Sequence, residues 1–299
     1  MKIKITLFLF AVFVFAGTVR AQNDTNAFNE VKNLVNSLKY QQGEIDLRDG
    51  LAKLTVPKEF NFLDANDANT VLVKLWGNPP STEKVLGLLM PAGVTPLDSN
   101  CWVVTISYIE DGHVKDEDAN KINYDDLLQQ MQKGVEANNK ARQEKGYPPV
   151  KLLGWAAPPR YDSATHKLYW AKRLRFGDED VETLNYDIRM LGRRGVLVLN
   201  AVASINQLPQ IEEQTPQILG MVDFKEGSRY ADFDPKVDKI ATYGIAALVA
   251  GGIAAKLGFF KLLLVGILAL KKFVIIAVVA IAAFFKKIFK GRSNSTPKN

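Results

Sequence analysis

The chain has 299 residues, of which 47 % are hydrophobic, with a formal net charge of +6, two histidines and one cysteine. A lone cysteine excludes a disulfide-stapled fold, so a globular part must rely on an ordinary core. The charge is uneven: all 32 acidic residues lie between Gln22 and Asp238 beside 25 basic ones, whereas Lys239 onward holds ten basic residues and no acid. The excess positive charge therefore sits in an apolar tail, which argues against nucleic acid as a partner.

Residues 1–21 carry a basic start (Lys2, Lys4), an apolar run from Ile5 to Ala16, and Val19-Arg20-Ala21. That is the pattern of a cleavable secretory signal. An uncleaved anchor is disfavoured because the run is well short of the ~20 residues that span a bilayer. Export places residues 22–238 outside the cytoplasm as one large domain or two small ones.

Within this segment Phe28, Val31, Leu34, Val35 and Leu38 recur at helical spacing. Two short strands are predicted at Glu44 to Leu47 and Ala52 to Val56, around the turn dipeptide Asp49-Gly50. A helix from about Asp64 to Trp76 is capped by Asp64 or Asn66 and stopped by Gly77-Asn78-Pro79-Pro80. Strands follow at Val85 to Met90 and Trp102 to Ile109, then a helix from about Tyr124 to Lys145 with Leu127, Leu128, Met131 and Val135 on its core stripe.

Three strands in succession are the clearest signal. Leu168, Trp170, Leu174 and Phe176 alternate with Tyr169, Ala171, Arg173 and Arg175; Leu184, Tyr186, Ile188 and Met190 alternate with Thr183, Asn185, Asp187 and Arg189. Both read as half-buried strands of an antiparallel sheet. Val196 to Ala203 is apolar on both faces except at Asn200 and reads as a central strand, joined through Gly192-Arg193-Arg194-Gly195. The expected fold class is α+β: an antiparallel sheet with flanking helices, followed by C-terminal membrane helices.

Ile240 to Phe285 is almost wholly apolar, lacks acids and is interrupted only by lysines, as expected of a segment in or on a bilayer. As one helix it would be ~69 Å long at ~1.5 Å per residue, against a hydrocarbon core of ~30 Å. The expected division is a span over 239–260, a lysine-rich apolar helix over 261–292 and a tail over 293–299. Lys256 snorkels at the inner end of the span. Ala246, Ala250, Ala254 and Gly258 form a small-residue face that permits self-association into a homo-oligomer.

The second helix has two readings. A returning span buries Lys271 and Lys272 at ~2.5–3.5 kcal/mol each and exports the basic end. A helix lying in the inner interface instead gathers Lys261, Lys271, Lys272, Lys286 and Lys290 on one polar face, with Lys287 outside it. The in-plane reading is favoured and makes these lysines contacts for anionic inner-leaflet lipid.

Candidate chemistry is sparse. His113 and His166 both follow turn-like sequence and read as solvated, since no GxSxG, HExxH or Cys/His cluster accompanies them. The acids of Asp111 to Asp118 lack the EF-hand order and read as a solvated loop with helix-capping residues. Trp155, Tyr161, Tyr169 and Trp170 read as sheet core. Arg193 and Arg194, two guanidinium groups at a hairpin tip, are candidates for an anion or partner contact. No catalytic, cofactor or metal ligand set is identified.

The strings Trp76-Gly77-Asn78-Pro79-Pro80, Gly154-Trp155-Ala156, Tyr161-Asp162, Leu168 to Lys172, Leu184 to Arg189, Leu191 to Gly195 and Arg229-Tyr230-Ala231-Asp232-Phe233 resemble a bacterial membrane-anchored family, domain of unknown function 2167. The resemblance covers nearly all of the chain after the signal. It implies an exported domain on a hydrophobic, lysine-rich C-terminus and no catalytic residues.

The expected function is that of an inner-membrane protein with one span, an exported interaction or sensing domain for an unidentified protein partner, and a cytoplasmic C-terminus. Two alternatives are an exported carboxylate- or metal-dependent enzyme and a two-span oligomerising membrane module.

Overall fold

The computed structural model describes residues 24–80, 84–178 and 180–251. The chain divides after Ala254 into two compact units, and the second, 255–299, lies outside the described residues. The first unit opens with α1 (Asp24–Asn36), then β1 (Gly43–Leu47), β2 (Ala52–Val56), β3 (Phe60–Asp64) and α2 (Ala65–Asn69), which continues as a wider π-turn over Thr70–Leu75. It continues through β4 (Val85–Pro91), β5 (Val103–Ile109), α3 (Tyr124–Gln143), β6 (Val150–Asp162), β7 (Lys167–Phe176), β8 (Glu182–Leu191) and β9 (Val196–Ser204). It ends with α4 (Leu208–Met221), β10 (Val222–Phe224) and α5 (Ile245–Ala250).

Among the described residues the strands form two antiparallel sheets. One has seven strands in the order β3-β4-β5-β9-β8-β7-β6, and the other has three in the order β1-β2-β10. The α+β class, with antiparallel sheets and flanking helices, is thus observed. The central strand β9, apolar on both sides, lies between β5 and β8 as expected.

One face of the large sheet presents Trp102, Val104, Ile106, Leu184, Ile188 and Leu199 to the small sheet and to Ile211, Ile218 and Met221 of α4. The other face carries two apolar patches. Leu168, Trp170, Leu174, Val196 and Val198 meet α3 and α5, whereas Leu63, Leu88, Met90, Val103 and Val202 meet α2, its π-turn and Trp76.

Between these patches runs a buried polar row. Thr105, Asn200, Asp187 and Trp170 stand opposite one another across β5, β9, β8 and β7, with Lys172 opposite Asn185 one step along. Asn185 is 0 % exposed and Asp187 2 %. The expectation that Thr183, Asn185, Asp187 and Arg189 face solvent is therefore wrong, since β8 is covered on both sides, whereas β7 keeps Tyr169, Arg173 and Arg175 half-exposed as expected. Ionic pairing makes this burial tolerable, since Lys172 Nζ lies 2.8 Å and Arg189 Nη2 3.0 Å from the Asp187 carboxylate. Burial opposes ionisation of Asp187, but the two cations hold its pKa below the usual carboxylate range.

The Trp76 to Pro80 string also has a local cause. Asp64 caps α2 by accepting from the amides of Asn66 and Asp67, and Gly77 takes the left-handed conformation (φ 65°) that ends the turn. The Trp76 indole donates to Pro96 O at 2.8 Å, and the Asn78 amide donates to Leu72 O at 2.8 Å. Four elements were not expected: β3, β6, α4 and β10.

Candidate functional site

The turn between β8 and β9 holds the two guanidinium groups. Arg193 Nε donates to Asp238 Oδ2 at 2.6 Å and Arg194 Nε to Asp238 Oδ1 at 2.8 Å, so each carboxylate oxygen has its own cation. The Asp238 side chain has no solvent-exposed surface. Charge-assisted hydrogen bonds of this kind strongly favour the ionised acid, and the Arg193 bond is the main cause that holds Asp238 far below the ordinary carboxylate range. The anion that these arginines hold is thus an internal one, 44 and 45 residues further along the chain.

Asp238 begins a stretch tied to the domain at four successive points. His113 N donates to Lys239 O at 2.8 Å and Ala241 N to His113 O at 2.8 Å, a parallel bridge around Ile240. Tyr243 Oη donates to Asp111 at 3.0 Å. Asp118 accepts from the backbone amides of Ile245 and Ala246 at 3.0 and 3.4 Å, satisfying donors that the first turn of α5 leaves free. Ile245, Leu248 and Val249 are buried in the cluster built on α3, and Gly251 closes α5 in the left-handed conformation.

Asp111, Asp116 and Asp118 of the 111–118 loop are therefore internal tethers rather than solvated groups, whereas Glu117 stays exposed beside Lys115. Residues 239–251, which the sequence assigns to the start of the membrane span, are held on the preceding domain by hydrogen bonds as far as Ala246 and by the packing of Leu248, Val249 and Ala250 beyond it. Among the described residues no helix is long and apolar enough to cross a membrane. Lys256, Lys261, Lys271, Lys272, Lys286 and Lys290 lie outside the described residues, as does the small-residue face beyond Gly251.

Both histidines converge beside this clamp, which corrects their reading as solvated. His113 is 6 % exposed. Its ring stacks on Phe233 at 4.0 Å and lies 4.3 Å from Tyr230, whose other neighbour is His166, stacked at 4.0 Å. Phe233, His113, Tyr230 and His166 thus form a four-ring ladder. At its open end Tyr161 Oη donates to Asp116 at 2.6 Å and lies 3.2 Å from His166 Nδ1. Tyr230 Oη donates to Val114 O at 3.1 Å. Of the aromatic residues read as core, Trp170 is buried at the sheet, whereas Tyr161 belongs to this ladder.

Electrostatics limit what the cluster can do. Burial, and then the neighbouring Asp116 carboxylate, push the Tyr161 and Tyr230 phenols far above their ordinary value. Both are thereby held as neutral hydrogen-bond donors at neutral pH. Burial opposes ionisation of Asp116, but the hydrogen bond from Tyr161, with the Tyr230 hydroxyl nearby, keeps it below the usual carboxylate range. Among the described residues no three His, Cys, Asp or Glu side chains converge as metal ligands.

His113 supplies a pH dependence. Burial lowers its pKa, opposed by the carbonyls of Arg193 and Gly192 and by Asp116 and Asp238. The unfolded ring titrates near ~6.5 and binds a proton more readily than the folded one, so this contribution to stability is complete above ~6.5 and falls as the pH drops below it. Thermal unfolding of the chain is expected to show Tm falling as the pH drops below about 6.5. His113→Phe, which keeps a ring in the ladder, is expected to flatten that slope; an unchanged slope would contradict the assignment.

An open recess of ≈ 240 Å³ adjoins the ladder, with Tyr230 in its wall. Phe224 of β10 packs over Gly192, where an alanine Cβ would come within 2.7 Å of its ring. The loop after β10 is pinned to the β8–β9 turn by Arg193 N donating to Ser228 O at 2.9 Å and by a bridge between Gly192 and Arg229. Reasoning from sequence named Arg193 and Arg194 but missed Tyr230, Phe233, Asp238 and Tyr243. The only signal available was the Arg229 to Phe233 string.

Residues 39–282 match the model of a family described as "Protein of unknown function (DUF2167)". No curated protein matches the chain. Among solved structures the chain is similar to the cyanobacterial PsbP protein (CyanoP) from Synechocystis sp. PCC 6803, at 10 % identity and a TM-score of 0.35, over 63 % of this chain and 94 % of that one. It is also similar to the Saccharomyces cerevisiae Ran-binding protein Mog1p, at 9 % identity and a TM-score of 0.30, over 62 % and 96 % of the two chains. Both overlaps are loose.

Proposed function

This chain belongs to the DUF2167 family, and we propose that it is a membrane-tethered binding protein whose exported domain is clamped to the root of its own anchor. The observation that carries the reading is the four-point docking of Asp238 to Ala246 on the domain. A flexible linker would leave the domain free to turn above a bilayer, whereas this stretch feeds the folded unit straight into the apolar run. Export is supported by the signal-like residues 1–21, and membrane seating by the acid-free, lysine-punctuated tail.

In this reading the domain works by recognition, on a surface whose aromatic rings and turns are held in place by the clamp. Residues 239–251 are held by the domain, and 252–260 alone are far short of the ~20 residues of a span. The single span is therefore drawn from the apolar run beyond Gly251, and the lysines that emerge after it, with Lys286 and Lys290 the last of them, meet anionic lipid of the inner leaflet. A reporter fused after Asn299 tests the anchor. A fusion to a protein fluorescent only when folded in the cytoplasm is expected to be bright, and a fusion to a phosphatase active only outside it is expected to be inactive. The reverse pattern would replace one span by two.

A further inference from the structure

The recess beside the ladder has the chemistry of a ligand site. Its floor is apolar and buried: Phe224, Met190 and Leu191 are 5 %, 4 % and 3 % exposed. Its rim is cationic, because Lys167 and Arg229 both line it and neither is within ion-pair distance of a carboxylate among the described residues. His166 lies on the same rim. One acid, Asp223, stands at the edge without a cation.

We propose that this recess binds a small carboxylate carried on a compact apolar body. Lys167 and Arg229 receive the carboxylate, and Phe224, Met190 and Leu191 take the apolar part. The volume limits the ligand, because sites for drug-sized molecules are ~300–1,000 Å³. A single acyl chain of a few carbons or one terminal residue of a peptide fits the class; a bare phosphate would leave the apolar floor unused. The wall is preorganised, since the loop carrying Arg229 is bonded to the β8–β9 turn, which lowers the ordering cost of binding. Tyr230 belongs both to this wall and to the ladder that reaches His113, so the site abuts the clamp on the anchor root.

The assignment rests on reading the domain as a binding module and names its ligand class. Titration of the full chain in nanodiscs, against empty discs, with hexanoate, N-acetyl-leucine and inorganic phosphate tests it. Saturable binding of at least one carboxylate is expected, with a Kd near ~1 mM or tighter, and the stronger of the two distinguishes a free acid from a peptide terminus. The double variant Lys167→Ala/Arg229→Ala is expected to weaken that binding about tenfold or more at unchanged Tm. Asp223→Asn, which removes a like charge from the edge, is expected to tighten it about twofold or more.

No saturable carboxylate binding up to ~10 mM, binding of phosphate alone, or affinities unmoved by both variants would overturn the proposal. These outcomes leave the tether untouched, because the topology of the chain is read by different experiments.

Discussion

Asp187→Ala is expected to destabilise the domain by about 3–5 kcal/mol. The reason is asymmetry rather than the worth of the ion pair. A buried pair contributes little compared with apolar residues of the same shape, but removing one partner leaves the other as an uncompensated buried charge. Here the survivor is Lys172, whose side chain is only 8 % exposed, with Arg189 beside it. Lys172→Met is expected to cost much less, since Asp187 keeps Arg189 at 3.0 Å and the methionine fills the lysine's apolar volume. Urea unfolding of the two variants checks both statements. Equal losses would mean that Lys172 and Asp187 are not coupled as described.

Gly112→Ala is expected to cost about 3 kcal/mol and to release the anchor root. Gly112 has φ 107°, a conformation that favours glycine, and a Cβ built there would lie 2.6 Å from Lys239 O and 3.0 Å from Ala241 N. The neighbouring atoms are backbone, so no rotamer change relieves the contact. The residues displaced are those that pair with His113, so two backbone hydrogen bonds go with them. Limited proteolysis is expected to cut the variant after Lys239 and spare the parent chain. A variant with the parent's Tm and cleavage pattern would show that the 239–241 stretch is not held by this turn.

Much of the sheet was legible because strong periodicity leaves few alternatives. Val103–Ile109, the β8 alternation and the doubly apolar β9 sit where their patterns put them, and α2 carries the Asp64 cap that its first residues suggest. The strand β6 was invisible for a physical reason. Its pairing with β7 shifts register between Leu152 and Gly154 and at two further places, and Pro158 and Pro159 interrupt it, so no period of two survives. Helix α4 hides behind Pro209 near its start and Pro216 inside it.

The polar row was misread because an alternating polar face normally means solvent. The clue was Lys172, which falls in step with Leu168, Trp170, Leu174 and Phe176 on a face that is otherwise apolar. A lysine at that place requires a buried acid, and Asp187 is opposite Trp170 on the next strand. The clamp shows the opposite limit. Arg193 and Arg194 stood out as charges, but nothing local ties them to Asp238, and only the tertiary fold closes that distance.

The same clamp decides where an informative probe belongs. Cys101 is buried, and burial, then Asp98, push its thiol up to about 12, so it is a silent background for thiol chemistry. Val181 is 60 % exposed and sits just before β8, at the other end of that strand from the Arg193–Arg194 turn. The most direct measurement is therefore labelling of Val181→Cys by a membrane-impermeant maleimide in cells whose outer membrane alone is permeabilised, compared with the same cells lysed. An exported, tethered domain gives equal labelling in both, on a chain that sediments with the inner membrane and resists salt extraction. Labelling only after lysis, or a labelled chain that leaves the membrane in salt, would contradict it.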